Sequence, residues 1–575
     1  MEVSIFLNPV TDELKRVDKM VFEERKHAEA LHVLETLETN AVLDNGERLQ
    51  VKILKSYALR NNLGIRLERF EEAVALAEEA FKESQQQKDQ VLLVDAFLVK
   101  INLSWAKIDD VFEQLDDLLQ GIEEAERALR KAVDLSSTDR KRREAYLQMW
   151  KASLYSERGE IDRALQYYEK ALTGFEELGN KSGIANVLFG LGYLYQFLQR
   201  DYAKALPCYQ KCLTIAEELG NKDVKAICYH RIGNYHHTYQ GDLDQAMDYY
   251  QKSLELMEET ENYFGWVLLC VIGEIYLLKG QFELALQYQL KALHFVRGAH
   301  FIFYNDRLLV SRSVGKVYQA LGSFDDALNY YKQGLDALKF VRYSHRLFYS
   351  SMLLYNLFSL HFEHGLVKQA ENYLQQLEEL AGKTERVMEA DYKLTNLFYR
   401  LAKSQVLKNS SRLIEKAEAQ KILQNIVAEE IIFHEYTIEA MYYLCEMFFE
   451  ELKLSDDVAI MKEVKNLTTK IHEIGQEYHA YPAVVDALIL QSKLATLEAD
   501  IQGATKLLAQ AAVLAEEKSL IRHQKKVKQE QLDLDTQLEE WKALYERNAP
   551  MYERIEQARL AEYFTRAQKV IKSMK

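Results

Sequence analysis

The chain has 575 residues, 48% hydrophobic and 28% charged, with only four prolines and no stretch rich in Pro, Gly or Ser; that composition excludes a disordered, collagen-like or linker-punctuated protein. Its 73 Lys and Arg against 88 Asp and Glu give 73 − 88 = −15, spread along the chain, which argues against nonspecific attraction to nucleic acid or anionic lipid. The five cysteines are odd in number and sit in amphipathic runs, so free thiols in a reducing compartment are expected.

The N-terminal MEVSIFLNPVTDELKRV has no basic region ahead of its short apolar patch. No later segment approaches the roughly 20 apolar residues that cross a bilayer, so a cytoplasmic protein without membrane contact is expected. Residues 1–144 read as a helical region with degenerate repeats, faint copies standing at Phe70–Ala73–Ala80 and Ile122–Ala125–Ala132.

Residues 145–380 carry a clear period. The hexapeptide EELGNK occurs at Glu176–Lys181 and again at Glu217–Lys222, 41 residues on. Ala164, Ala205, Ala246, Ala285, Ala327 and Ala370 succeed one another in steps of 41, 41, 39, 42 and 43. Three residues before each stands a bulky apolar residue (Ile161, Tyr202, Leu243, Phe282, Phe324, Val367). Five before stands a glycine (Gly159, Gly241, Gly280, Gly322, Gly365), except at Arg200. Seven after comes a mostly small residue (Ala171, Cys212, Ser253, Ala292, Gly334), with Leu377 the exception, and tyrosines stand three or four residues after the alanine. Spacings of three, four and seven put these residues on one helix face, where small side chains let a neighbouring helix approach.

A second apolar-periodic run precedes each glycine turn, as in IANVLFGLGYLYQFL and WVLLCVIGEIYLLKG, so the unit is two antiparallel helices. In EELGNK, Gly179 or Gly220 suits the left-handed cap that closes the second helix. Two turns, QRDYAKA and QGDLDQA, carry one extra residue, and a local change of pitch is expected there. Residues 381–480 keep the helical period and lose the grammar, which reads as degenerate repeats. Residues 481–575 hold a last copy, Ile501–Ala504–Ala511, and a terminal capping pair with the spacing Ile555, Ala558, Phe564, Ala567, Ile571.

The motifs of catalysis are missing: no GxxxxGK[ST], no GxGxxG after a strand, no HExxH and no GxSxG, so no enzyme and no cofactor are expected. Cys208, Cys212, Cys228 and His230, with His236 and His237 nearby, are the one metal-like cluster. Cys212 holds the small inward position of Ala171 and Ala292, so the cluster reads as core and no metal is expected. The basic runs DRKRR (Asp139–Arg143) and RHQKKVK (Arg522–Lys528) read as solvated helix faces, and most of the tyrosines and phenylalanines as core.

Helix pairs such as IGEIYLLKGQFELALQYQLKAL (Ile272–Leu293) and VGKVYQALGSFDDALNYYKQGL (Val314–Leu335) resemble tetratricopeptide repeats. The standard unit is about 34 residues. The longer spacing resembles the branch found in spindle-orientation adaptors, kinesin light chains and MalT-type regulators. The resemblance implies an all-α, right-handed superhelical solenoid of stacked antiparallel helix pairs, with a groove lined by the first helix of each pair. It also implies which positions face that groove: Tyr193, Asn234, Glu274 and Lys316 directly after the L-G pair, with Ser153 and Ser359 in flanking copies. One turn away on the same face stand Asn186, Phe189, His230, His237, Cys270, Arg312, Gln319 and Tyr355. The lysine and asparagine clamp by which chaperone-binding members hold a C-terminal carboxylate is not found in successive helices.

The expected function is a protein–protein interaction scaffold holding a peptide or helix of a partner, one with acidic residues beside a large apolar anchor. The alternative is a signal-responsive regulator whose shape changes when a peptide or small molecule enters the groove. The partner and the oligomeric state are not legible in the sequence.

Overall fold

The computed structural model describes residues 9–21, 26–61, 67–87, 89–106, 108–133, 135–199, 201–240, 242–260, 265–298, 304–338, 343–382, 389–429, 434–455, 457–560 and 562–563. Arg200, Gly241 and the stretch holding Phe564, Ala567 and Ile571, all members of the repeat pattern, lie outside them. The described residues are helical with no strand, and none of their helices is long and apolar enough to cross a membrane.

Two compact units form, Met1–Tyr235 with Gln245–Leu268, and His236–Asp244 with Leu269–Lys575. The first holds α1 (Pro9–Lys19), α2 (His27–Asn40), α3 (Asn45–Asn61), α4 (Leu67–Gln87), α5 (Gln90–Ala106), α6 (Ile108–Lys131), α7 (Ser137–Glu157), α8 (Ile161–Glu177), α9 (Lys181–Tyr193), α10 (Tyr202–Glu218), α11 (Lys222–Asn234) and most of α12 (Leu243–Glu259). The second holds α13 (Gly265–Leu278) over most of its length, then α14 (Phe282–Gly298), α15 (Tyr304–Leu321), α16 (Phe324–Ala337), α17 (Tyr343–Glu363), α18 (Val367–Ala381), α19 (Glu389–Lys408), α20 (Leu413–Ala428), α21 (His434–Ser455), α22 (Val458–Glu477), α23 (Tyr481–Leu497), α24 (Ile501–Glu517), α25 (Ile521–Thr536), α26 (Leu538–Glu546) and α27 (Met551–Gln557). Within each unit a first (A) helix packs on the second (B) helix that comes next in the chain, as α7 on α8, α9 on α10, α15 on α16 and α23 on α24.

The small-residue series is the seam of this packing: Ala164, Ala246, Ala285, Ala327 and Ala370 are fully buried, as are Ala171, Cys212, Ser253, Ala292 and Leu377. The faint copies behave alike, with Ala73, Ala80 and Ile122 fully buried. EELGNK serves three purposes. Its glycine takes φ +62° at Gly179 and +64° at Gly220, the left-handed conformation that ends a helix. Its asparagine caps the next helix, the Asn180 and Asn221 side chains accepting from Gly183 N at 2.8 Å and Val224 N at 2.9 Å. Its lysine reaches the glutamates one repeat on: Lys181 Nζ meets Glu218 Oε2 at 2.8 Å, and Lys222 pairs with Glu259.

Both turns with an extra residue resolve the same way. From the glycine of helix A to the alanine of helix B the span is 13 residues for Gly192–Ala205 and Gly233–Ala246, against 12 for Gly273–Ala285 and Gly315–Ala327. The surplus is taken up by π-helical turns at Leu194–Leu198 and Tyr235–Gln240. A π turn is the way a helix absorbs one inserted residue without breaking its ladder.

The basic runs depart from the solvated faces expected of them. Arg142 Nη1 meets Asp18 Oδ2 at 2.5 Å, and Arg143, 7% exposed, grips Asp95 with Nε at 2.7 Å and Nη2 at 2.6 Å. In the second run Lys526 Nζ meets the buried Asp486 at 2.7 Å, and His523 is buried beside it. Among the described residues the C-terminal stretch holds α25 to α27, where Trp541, Ile555 and the capping Ala558 are buried.

Candidate functional site

Successive A helices touch one another, α3 with α5, α5 with α7 and α7 with α9 in the first unit, and α17 with α19 in the second. In a curved stack the layer whose members meet directly is the inner one, so the A helices carry the candidate binding side chains.

In the first unit, α9, its π turn and α11 gather Phe189, Tyr193 and Phe197 around Arg231. The rings of Tyr193 and Phe197 are 4.8 Å apart, and Phe189 leans on the buried Tyr209 at 5.8 Å. The Arg231 guanidinium lies over Phe197 at 5.2 Å and over Phe189 at 5.8 Å, the geometry of cation–π attraction. It makes no hydrogen bond or ion pair with any described residue, and its Nε is buried without a partner. Phe197 is 45% exposed, so the aromatic cluster is open on one side.

Polar groups frame the cluster. Tyr250 Oη donates to Asn234 Oδ1 at 2.7 Å, which leaves the Asn234 amide NH₂ without a partner among the described residues. Burial, with Arg231 second, pulls the His230 imidazole down to about 3, so this half-buried ring is neutral at pH 7. Burial raises the Glu157 carboxyl; it also raises the Tyr193 phenol, with Glu157 adding to the rise and Arg231 opposing it. Asn186 is half-buried on α9. The arrangement can take a carboxylate at Arg231, an apolar side chain at Phe197 and Tyr193, and a main-chain carbonyl at Asn234.

The second unit holds the remaining expected groove residues, and several lie deep. Arg312, Lys316 and Tyr355 are only 9%, 5% and 3% exposed. Tyr355 Oη donates to Glu439 Oε2 on α21 at 2.8 Å and accepts from Gln405 Nε2 at 3.2 Å. Gln319 accepts from Tyr331 Oη at 2.7 Å and donates to Glu363 at 3.1 Å, while Arg312 Nε donates to Asn356 Oδ1 at 3.2 Å. Glu274 and His237 are half-buried; burial lowers the His237 pKa and Glu274 opposes that. Cys270 is buried.

One rule accounts for several of these polar residues. A tyrosine buried on the seam needs a partner for its hydroxyl, and the facing A helix supplies it: Ser153 for Tyr168 at 3.0 Å, Gln196 for Tyr209 at 2.9 Å, Asn234 for Tyr250 and Gln319 for Tyr331.

Sequence reasoning did not single out Arg231 or Phe197. Each residue turns a helix by about 100°, so the inserted residue rotates Phe197, within the first π turn, out of the phase read from neighbouring repeats, whereas Arg231 stands on α11 ahead of the second π turn and directly after the expected His230. The one available signal was the insertion itself, with QFL at its end. In the cysteine cluster, Cys212 Sγ donates to Ala185 O at 3.3 Å within the core. Among the described residues no group of three or more His, Cys, Asp or Glu could hold a metal.

Residues 183–259 and 264–339 match one tetratricopeptide repeat profile, and residues 145–173 match another. No curated protein matches the chain in sequence. Among solved structures, it is similar to a Rap protein complexed with Competence and Sporulation Factor, at 13% identity over 64% of this chain and 97% of that one, with a TM-score of 0.45. It is also similar to the apo form of the quorum sensor NprR from B. thuringiensis (15% identity, 74% and 99% covered, TM-score 0.41). Yeast Tom70 is similar at 12% identity, with 92% and 96% covered and a TM-score of 0.39. With its Gly–Ala grammar, paired helices and matched repeats between residues 145 and 339, the chain is a protein of the tetratricopeptide-repeat type.

Proposed function

We propose that this chain is a cytoplasmic, non-enzymatic scaffold that holds a peptide or helix of a partner protein against the inner face of its first unit. The observation that carries the reading is Arg231: a guanidinium lying over two aromatic rings, without hydrogen bond or ion pair to any described residue, beside a Phe197 that is 45% exposed. A cation so placed is stabilised by its rings and still lacks an anion, which an acidic side chain of a bound segment supplies. An apolar neighbour of that acid covers Phe197 and Tyr193, the Asn234 amide takes a main-chain carbonyl, and Phe189, His230 and Asn186 border the segment.

The test is affinity capture from the source cells with three baits: wild type, the double variant Phe197→Asp with Arg231→Glu, and Lys170→Glu on the exposed side of α8 as a control. The proposal expects a protein retained by wild type and control and lost by the double variant. Identical recoveries from all three would end it.

A further inference from the structure

Gly280, in the turn from α13 to α14, and Arg522, in the first turn of α25, are far apart in the chain and meet within the second unit. A Cβ built on Gly280 would stand 2.8 Å from Arg522 Cβ, 3.4 Å from its main-chain N and 3.6 Å from its Cα, so the two backbones leave no room for a side chain between them. The Arg522 guanidinium lies over the Phe282 ring at 5.8 Å. Along the same seam, His479 of the α22–α23 turn donates to the Tyr239 main-chain carbonyl. Gly159, Gly179, Gly220, Gly322 and Gly365 share the left-handed conformation of Gly280, yet a Cβ on any of them meets nothing within 4 Å among the described residues. Of these turn glycines, Gly280 is therefore the one required by contact as well as by conformation.

One side of the seam is firmly anchored. Lys526 Nζ meets the buried Asp486 at 2.7 Å and His523 is buried beside it, which fixes α25 to α23. The seam itself is held more lightly. Arg522, one residue before His523 and so on another face of α25, is half-buried and makes no hydrogen bond or ion pair with the described residues. Burial pulls its guanidinium below the ordinary value, with Asp486 opposing. Closing the seam gains a ring contact and costs the cation part of its hydration; opening reverses both. These opposed effects leave the closed and open arrangements close in free energy.

We propose that the Gly280–Arg522 seam is a reversible latch. Closed, it joins the two ends of the second unit; open, it lets α22 to α25 swing away from the α13–α14 turn and widens the inner face lined by the A helices between them. The inference is independent of the peptide-binding reading, which uses residues of the first unit alone.

The test is pulsed electron–electron double resonance on the full chain, spin-labelled at Glu283→Cys and Lys525→Cys, exposed positions three residues beyond each side of the seam. Cys208, half-buried where the other native thiols are buried, is replaced by serine. Two distances are expected, the shorter from the closed seam. Gly280→Ala should raise the ratio of longer to shorter at least about fivefold, since the clash is with the backbone and Cβ of Arg522, which no rotamer change relieves. Gly322→Ala, at φ +80° with open space around it, carries the same backbone strain and should leave the ratio unchanged. A single distance in the chain without either glycine variant, or equal ratios in Gly280→Ala and Gly322→Ala, overturns the proposal. The first of these is read with Gly280 in place, so a misfolded Gly280→Ala leaves the test decisive.

Discussion

Replacing Gly233 by alanine tests the packing rule on which the fold rests. Alanine in mid-helix normally gains about 1 kcal/mol over glycine. Here a Cβ would stand 2.6 Å from Tyr250 Cε1 and 2.7 Å from Cδ1, so the ring must retreat by about 0.8 Å to reach the 3.4 Å of ordinary contact. Tyr250 is fully buried, and its hydroxyl is held by Asn234 at 2.7 Å, so the ring has nowhere to go without breaking that bond. Overpacking costs about 1–3 kcal/mol and the hydrogen bond about 1, against the gain of about 1; the net loss is about 1–3 kcal/mol. For a unit of this size that lowers the melting transition by roughly 2–4 °C per kcal/mol. Gly265→Ala is the control, since its nearest contacts among the described residues are 3.8 and 3.9 Å away and it should be neutral or slightly stabilising. Calorimetric melts of the three proteins decide the matter. A Gly233→Ala chain that melts at or above wild type would refute the tyrosine-on-glycine seam.

Tyr209→Phe removes the donor to Gln196 Oε1, and Gln196 is 4% exposed, so stability falls by about 1–3 kcal/mol; adding Gln196→Leu should recover part of it in urea unfolding. His230, held down to about 3 in the fold by burial, protonates near 6.5 when unfolded, so stability is full above pH 6.5 and is lost as pH falls toward 3. At pH 5.5 the linkage reaches about 1.4 kcal/mol, and His230→Phe should flatten that part of the pH–stability curve. Glu218→Ala breaks the pair with Lys181, but both side chains are about half exposed (49% and 56%), so urea midpoints should shift by less than about 1 kcal/mol.

The parts of this fold that were legible are those written locally. The alanine series, the left-handed Gly179 and Gly220, and the paired helices rest on residues within one repeat, where spacing and size determine the contact. The rest depends on distant partners or on phase. Arg142 and Arg143 looked solvated because Asp18 and Asp95 lie 124 and 48 residues away. The depth of Tyr355 depends on α21, far along the chain, whose Glu439 accepts from its hydroxyl. Phe197 depends on a helical turn whose phase the insertion changes, and the role of Arg231 depends on the rings it meets on the preceding A helix and its π turn. In the candidate site, Phe189, Tyr193, His230 and Asn234 were therefore readable from the repeat pattern, and their cationic centre was not.

The most direct measurement replaces Phe197 with the photo-crosslinking residue p-benzoylphenylalanine in the source cells and identifies adducts by mass spectrometry. The same probe at Lys170 on α8 and an Arg231→Glu version of the Phe197 probe serve as controls. The scaffold account predicts a discrete protein adduct at position 197 that is absent at 170 and lost with Arg231→Glu. No adduct at 197, or one indifferent to Arg231, would contradict it.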